Sequence, residues 1–436
     1  MIMKTKFIIS LIFFSTAVRV FSLNLSLDDC KRMALQTDED IKIAQNQILQ
    51  SDYDRGVAKS AYLPKIDGMG TAMYLTPDPS MNDMMDIQMK GLYMAGFSLT
   101  QPIYTGGKIY NANKLAKVGQ EVAKEQYEAT RMDVLANAEK SYWMYVAVLS
   151  KIEMINSYIT QLDSLYSYTK TACEIGMTSR ISLIRIETKR SELQYRLQQS
   201  KNGADLCRLA LCRVIGAEDS VSITPTEHLD KIIGTGVEYR GIDSRPELHM
   251  AQKNVEAKRY DVKMVLADYL PTVGLQIGWN AFGNLKMKSM VQGPDGNYYP
   301  YTSTMNYTGF MGAVSLSMPI FHWGEGYKKI KKAKIEVKNS ELMLEKNRKL
   351  MELQARQAYN NYIDGRELIK SAELSFEEAQ QNLELMQSQY EVGLMTLTDL
   401  LEAQSQWHTS YSNLIEAKTQ YKINRVEYLR SVGLLE

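Results

Sequence analysis

Two carboxylates, Asp399 and Glu402, stand three residues apart just after Gly393 in the stretch YEVGLMTLTDLLEAQ. That spacing puts both on one face of a helix. Acids so placed favour the positive N-terminal end of the helix dipole, on a solvated helix start. No other chemistry accompanies them. His228, His249, His322 and His408 are scattered without metal-ligand spacing, so no zinc centre is expected. Gly68-Met69-Gly70 and Gly234-Thr235-Gly236 lack the helix-opening context of a nucleotide loop. Nothing nominates a Ser/His/Asp set, so neither a catalytic residue nor a cofactor is expected.

The elements that must position this pair emerge from the whole 436-residue chain. Lys plus Arg number 51 and Asp plus Glu 50, so no charge excess points to nucleic acid. Residues 1–22 carry Lys4 and Lys6 before an apolar run from Phe7 to Phe14, then Val20 and Ser22 at the −3 and −1 positions of a cleavage site. The run is too short to span a bilayer and reads as a secretory signal peptide. Cys30, Cys173, Cys207 and Cys212 imply no disulfide framework. Cys207 and Cys212, five apart in a helical pattern, fall on different helix faces and suit buried small side chains.

Internal repetition is the strongest signal. Tyr62-Leu63-Pro64 returns as Tyr269-Leu270-Pro271, and Phe97–Tyr104, containing Pro102, returns as Val314–Phe321, containing Pro319. Glu174-Ile175-Gly176 returns as Glu391-Val392-Gly393. Residues 23–225 therefore form a first repeat, with a helix, a β-hairpin over 65–101, a long helix over 103–175 and a helix over 178–215. Residues 226–436 form a second, with a helix over 245–269, a hairpin over 272–318, a long helix over 320–392 and a helix over 396–432. The helical stretches lack proline and are rich in Ala, Glu, Lys, Gln, Leu and Met. A helix of that length reaches about 110 Å, which calls for coiled-coil packing. Leu400, Trp407, Leu414, Tyr421 and Tyr428 recur every seven residues, in keeping with it.

Between each Leu-Pro and the following proline the composition turns Gly- and aromatic-rich, in runs about as long as a membrane strand. Thr76–Gln88 and Gly283–Asn306 are polar and are expected to be the joining loops. Four strands cannot close a barrel, and an open edge is not tolerated in lipid. Three chains of four strands would make a twelve-stranded barrel with an open lumen. Pro64 and Pro271 are placed at helix-to-strand junctions, and Pro102 and Pro319 where strand becomes helix.

The signal peptide, the duplicated plan, the paired Leu-Pro and Pro-Ile positions, Ser244-Arg245-Pro246-Glu247-Leu248 and the Tyr390–Glu402 segment together resemble the TolC family of outer membrane efflux proteins. The resemblance covers the chain from about residue 23 onward. It implies a mainly α fold with a long coiled-coil helical barrel, plus a twelve-stranded trimeric β-barrel in the outer membrane of a Gram-negative cell. It also implies a passive duct for efflux or type I secretion, served by a periplasmic adaptor protein and an inner-membrane transporter of resistance-nodulation-division or ABC type. In that resemblance Asp399 and Glu402 match acids lining the periplasmic entrance, and Tyr390 matches a tyrosine that holds the tip closed. The arginine expected five residues on is Met395, and Arg180 is the candidate substitute. The adaptor would meet the tips at Gly176, Met177, Thr178, Gly393, Leu394 and Thr396. The reading of a different class is a periplasmic or surface coiled-coil protein of structural or adhesive function. The cargo and the partner pump are not legible.

Overall fold

A computed structural model describes residues 22–74, 80–82, 85–88, 91–230 and 238–436. The expected signal peptide, up to residue 21, lies outside the described residues, as does part of the expected 76–88 loop. In chain order the elements are β1 (Ser22–Leu25), α1 (Leu27–Thr37), α2 (Glu39–Ser60), β2 (Lys65–Met73), β3 (Ser80–Asn82), β4 (Met85–Gln88) and β5 (Leu92–Thr105). Then follow α3 (Lys108–Glu174), α4 (Arg180–Ile215), β6 (Ser222–Pro225), α5 (Pro246–Ala267), β7 (Thr272–Gln292), β8 (Tyr298–Ser317), α6 (Glu325–Glu391) and α7 (Leu397–Val432). The halves repeat in element length: α2 and α5 have 22 residues each, α3 and α6 have 67, α4 and α7 have 36. The chain divides into two compact units. One comprises residues 1–42, 129–245 and 351–436, the other 43–128 and 246–350.

The second of these units holds an antiparallel sheet in which β2 pairs β5, β5 pairs β7 and β7 pairs β8. Short β4 pairs the far end of β7, in line with β5, and β3 pairs β4. Paired residues share a face, and the two faces differ in chemistry. One carries Ile66, Phe97, Leu99, Ile277, Trp279, Phe310, Val314 and Leu316, with Phe97 stacked on Trp279 at 5.8 Å. The other carries Asp67, Ser98, Thr100, Gln276, Asn280, Ser315 and several glycines. This alternation of an apolar and a polar face is the pattern of a membrane strand set. β2 and β8 are the outer strands, and on them Ile66, Phe310, Val314 and Leu316 are exposed.

Three sequence expectations change here, the first being that the described residues of the expected 76–88 loop are strand, in β3 and β4. The polar stretch 283–306 is mostly strand: β7 has 21 residues, β8 has 20, and the turn between them is Gly293–Asn297, closed by Gly293 N donating to Asn297 O at 2.7 Å. The register shifts between Phe282 and Leu285, where Asn284 adopts a left-handed φ of 65°. This bulge gives β7 one residue more than β8, so its alternation reverses. Above it Lys286 and Lys288 lie opposite Thr304 and Thr302, on the face that Trp279 and Phe310 occupy below. The third change concerns the long helices, which begin at Lys108 and Glu325, not at 103 and 320. Pro102 lies inside β5, at a register shift opposite Gly274. β2 starts opposite Thr100, so past that point β5 pairs only β7, and the missing N–H of Pro102 costs no ladder bond to β2. Pro319 lies in the connector between β8 and α6, whereas Pro64 and Pro271 lie in the short links α2–β2 and α5–β7.

In the other unit β1 and β6 form a parallel pair, and the core is helical. The seven-residue series on α7 is buried throughout: Leu400, Trp407, Leu414, Tyr421 and Tyr428 are each at most 7 % exposed. Tyr362 of α6 stacks on Tyr421 and Tyr428 at 5.1 and 6.1 Å, and its hydroxyl accepts from the Tyr421 hydroxyl at 3.1 Å. All four cysteines are free. Buried Glu139 of α3 faces Lys31 at 2.9 Å and Arg425 at 3.9 Å.

Beside that carboxylate, the Lys422 ammonium lies 4.0 Å from the centre of the Trp143 ring. Burial, opposed by Glu139, pushes Lys422 down to about 8. Between that value and the ordinary lysine range near 10.5, the unfolded chain holds a proton there that the folded chain has lost. Stability from this group therefore rises with pH across the window, and its cost is fully present below about pH 8. Lys422→Met should flatten that rise, seen as the difference between the two proteins' melting-temperature curves from pH 7 to 10.

Candidate functional site

The two interhelical turns are built alike. After α3, Gly176 has φ 78°, its N–H donates to Cys173 O at 3.1 Å, and Met177 N donates to Ala172 O at 2.8 Å. After α6, Gly393 has φ 78°, its N–H donates to Tyr390 O at 3.0 Å, and Leu394 N donates to Gln389 O at 2.9 Å. Both are Schellman endings, where a left-handed residue lets two orphan helix carbonyls find donors. Space is open around both α-carbons, so a side chain there would be opposed by backbone strain alone. The turns expose apolar side chains: Met177 is 78 % and Leu394 74 % exposed, with Ile175 and Val392 beside them. Thr178 is half-buried.

The acids start from different positions than their shared spacing implies. Thr396 is the N-cap of α7 and forms a reciprocal box with Asp399. Asp399 N donates to the Thr396 hydroxyl at 3.3 Å, and Asp399 Oδ2 accepts from Thr396 N at 3.0 Å and from its hydroxyl at 2.6 Å. The Thr396 hydroxyl, then its backbone N–H, holds the Asp399 carboxyl below the ordinary carboxylate range. Its stabilising share is therefore present near neutral pH and fades as pH falls through the lowered value. The sequence carries the signature of this box, Thr-x-x-Asp ahead of an apolar run. Thr396→Ala should cost about 1 kcal/mol of stability and return Asp399 toward its ordinary range. A melting curve together with an NMR titration of the Asp399 carboxyl would check both.

Glu402, one turn further along α7, is exposed. The first repeat builds the same helix start without acid: Ser179 caps α4, and Ser182 replaces Asp399 in the equivalent place, the two hydroxyls 3.3 Å apart. Arg180 is exposed at the first position of α4. At the tip Arg185 joins the two hairpins, its guanidinium donating to the Thr398 hydroxyl at 2.5 Å. The one sequence signal of Arg185 is that it aligns with Glu402 in the repeat, a cation in place of an acid. Tyr390, at the end of α6, meets Tyr168 of α3 edge to face, ring centres 6.4 Å apart.

Among the described residues no cluster of His, Cys, Asp or Glu could hold a metal ion. The site therefore offers oriented charges, aromatic rings and apolar turns around a helix-hairpin end.

A sequence profile of the outer membrane efflux protein family matches residues 31–207 and 239–434. Outer membrane protein TolC of Escherichia coli strain K12 is 20% identical over 413 residues, covering 92% of this chain and 82% of that one. Alkaline protease secretion protein AprF of Pseudomonas aeruginosa is 20% identical over 411 residues, covering 91% and 82%. Of solved structures, the Campylobacter jejuni CmeC outer membrane channel superposes with a TM-score of 0.74 at 18% identity, covering 93% of this chain and 85% of that one. A CusC structure superposes with a TM-score of 0.78 at 12% identity, covering 95% and 94%.

Proposed function

The chain belongs to the outer membrane efflux protein family and is an outer-membrane exit duct with a periplasmic extension; from that premise we propose that three copies close a single channel. The observation that carries the trimer is the sheet. It has an apolar and a polar face, and its outer strands β2 and β8 present exposed apolar side chains. An unpaired strand edge in hydrocarbon costs several kcal/mol per unsatisfied group, so β8 of one copy pairs with β2 of the next. Twelve strands result, wide enough for an open lumen.

The helical hairpins form the periplasmic part. Their apolar turns at Gly176–Thr178 and Gly393–Thr396 meet a periplasmic adaptor protein, which links the duct to an inner-membrane transporter. The duct does no chemistry, and the transporter supplies energy and selects cargo. At the entrance, Glu402 from three copies makes a ring of negative charge, to which Asp399 adds while also capping its helix. Tyr390 narrows the opening, and Arg180 offers the counter-charge at the tip.

Outer-membrane fractionation, chemical cross-linking and bilayer recording test this reading together. Membrane-bound trimers with discrete conductance are expected, and a soluble periplasmic monomer would overturn it. Asp399→Ala, Glu402→Ala and Arg180→Ala should each change single-channel conductance or cation preference. Unchanged values in all three would sink the gate while leaving the duct standing.

A further inference from the structure

A cleft of ≈ 410 Å³ opens where the last turns of α3 and α6 face the start of α7. Its walls include Leu165, Tyr168, Tyr390, Glu391, Leu400 and Gln404. The volume falls in the range of small-molecule sites, about 300–1,000 Å³. Gln404 is only 4% exposed, and its side-chain carbonyl has no hydrogen-bond partner. A buried acceptor left unmatched is costly, and its residue forms part of the cleft wall, so a turn of the amide lets the carbonyl meet a donor that enters. The rings of Tyr168 and Tyr390, set at 69° to each other, offer a π-face and an edge. Glu391 is the one charged side chain among the lining residues, so the site carries negative charge.

An acceptor in need of a donor, two aromatic rings and a carboxylate without a competing cation in the lining all select the same visitor. We propose that this cleft binds small organic cations, an ammonium group carried on an aromatic or apolar body. The N–H groups of the ammonium donate to Gln404 Oε1, its charge is balanced by Glu391, and its body packs on Tyr168, Tyr390 and Leu400. Ring faces attract such cations, and withdrawal from water strengthens the effect. The assignment goes beyond the duct reading, because it requires neither the gate nor any particular cargo.

The test uses the purified full chain in its native assembly in detergent, titrated with 2-phenylethylamine hydrochloride at pH 7 by calorimetry and saturation-transfer NMR. Saturable binding is expected, with 2-phenylethanol, the neutral analogue of the same shape, at least about tenfold weaker. Gln404→Leu keeps the bulk and removes the orphan carbonyl, so the assembly should melt no lower than wild type while amine affinity falls about five- to tenfold. Glu391→Gln should weaken the amine about threefold and leave the alcohol unchanged. Absence of saturable binding, equal affinity for amine and alcohol, or affinity indifferent to both substitutions would overturn the assignment. Each of these outcomes leaves trimer formation and conductance, measured separately, untouched.

Discussion

Replacing Phe310 by arginine is expected to remove the protein from the outer membrane, whereas the same change at Met311, its neighbour, leaves assembly intact. Phe310 is 75% exposed on β8, opposite Trp279 and on the apolar face of the sheet. Arginine on the lipid side of a barrel costs about 2–4 kcal/mol near the bilayer centre, and a trimer bears that cost three times. Met311 pairs with Gly278 on the polar face, so an arginine there points into the lumen. It should leave heat-resistant trimers on a gel and alter the conductance. Phe310→Arg should leave monomer in the soluble or aggregated fraction. Trimers in both variants would mean that the sheet lies outside lipid, and loss of the trimer in Met311→Arg alone would mean that the faces are the other way round.

Trp143→Ala should be the most damaging single change in the helical unit away from the membrane strands. Trp143 is 1% exposed and packs edge to face against Tyr142, ring centres 5.4 Å apart. Truncating a buried tryptophan typically costs about 3–5 kcal/mol, through lost burial and the cavity left behind. Here Lys422 would also lose the ring beneath it, leaving a poorly solvated ammonium beside the Glu139 pairs. The indole N–H has no hydrogen-bond partner, so Trp143→Phe keeps most of the packing and gives up no such bond. Thermal inactivation should rank wild type above Phe and Phe well above Ala. Equal losses for Phe and Ala would show that the indole ring as a whole, rather than buried area, is what the core requires.

The helices were legible because their signals are local and repeated. Proline-free stretches of strong helix formers ended at glycines in corresponding places, and the seven-residue series on α7 proved buried along its whole length. The strands were legible only in part. The runs up to Phe282 and from Tyr307 declare themselves by apolar alternation, but Tyr298–Asn306 is rich in Tyr, Thr and Ser and reads as loop. It is strand because backbone pairing with β7 needs no apolar face, and Pro300 is tolerated because β8 is an outer strand of the sheet.

At the tip, the sequence exposed the acids and the glycines but not their division of labour. Asp399 is committed to Thr396, while Arg185, which bridges α4 to Thr398, carries no local mark. Gln404 was invisible for a different reason. A buried amide is significant only through what fails to reach it, and that is a property of three helices together.

The bulge beside Asn284 also sets how deep the protein sits. Below it the outer face of β7 runs from Val273 to Ala281 with apolar side chains at every second position; above it the same face carries Lys286 and Lys288. Nine residues of tilted strand match the apolar thickness of an outer membrane. Sinking further would draw two lysines per chain into hydrocarbon, and rising would bring Trp279 and Phe310 toward water. A single inserted residue thus acts as a depth stop, and shifting it along the strand would retune the protein to a thicker or thinner bilayer.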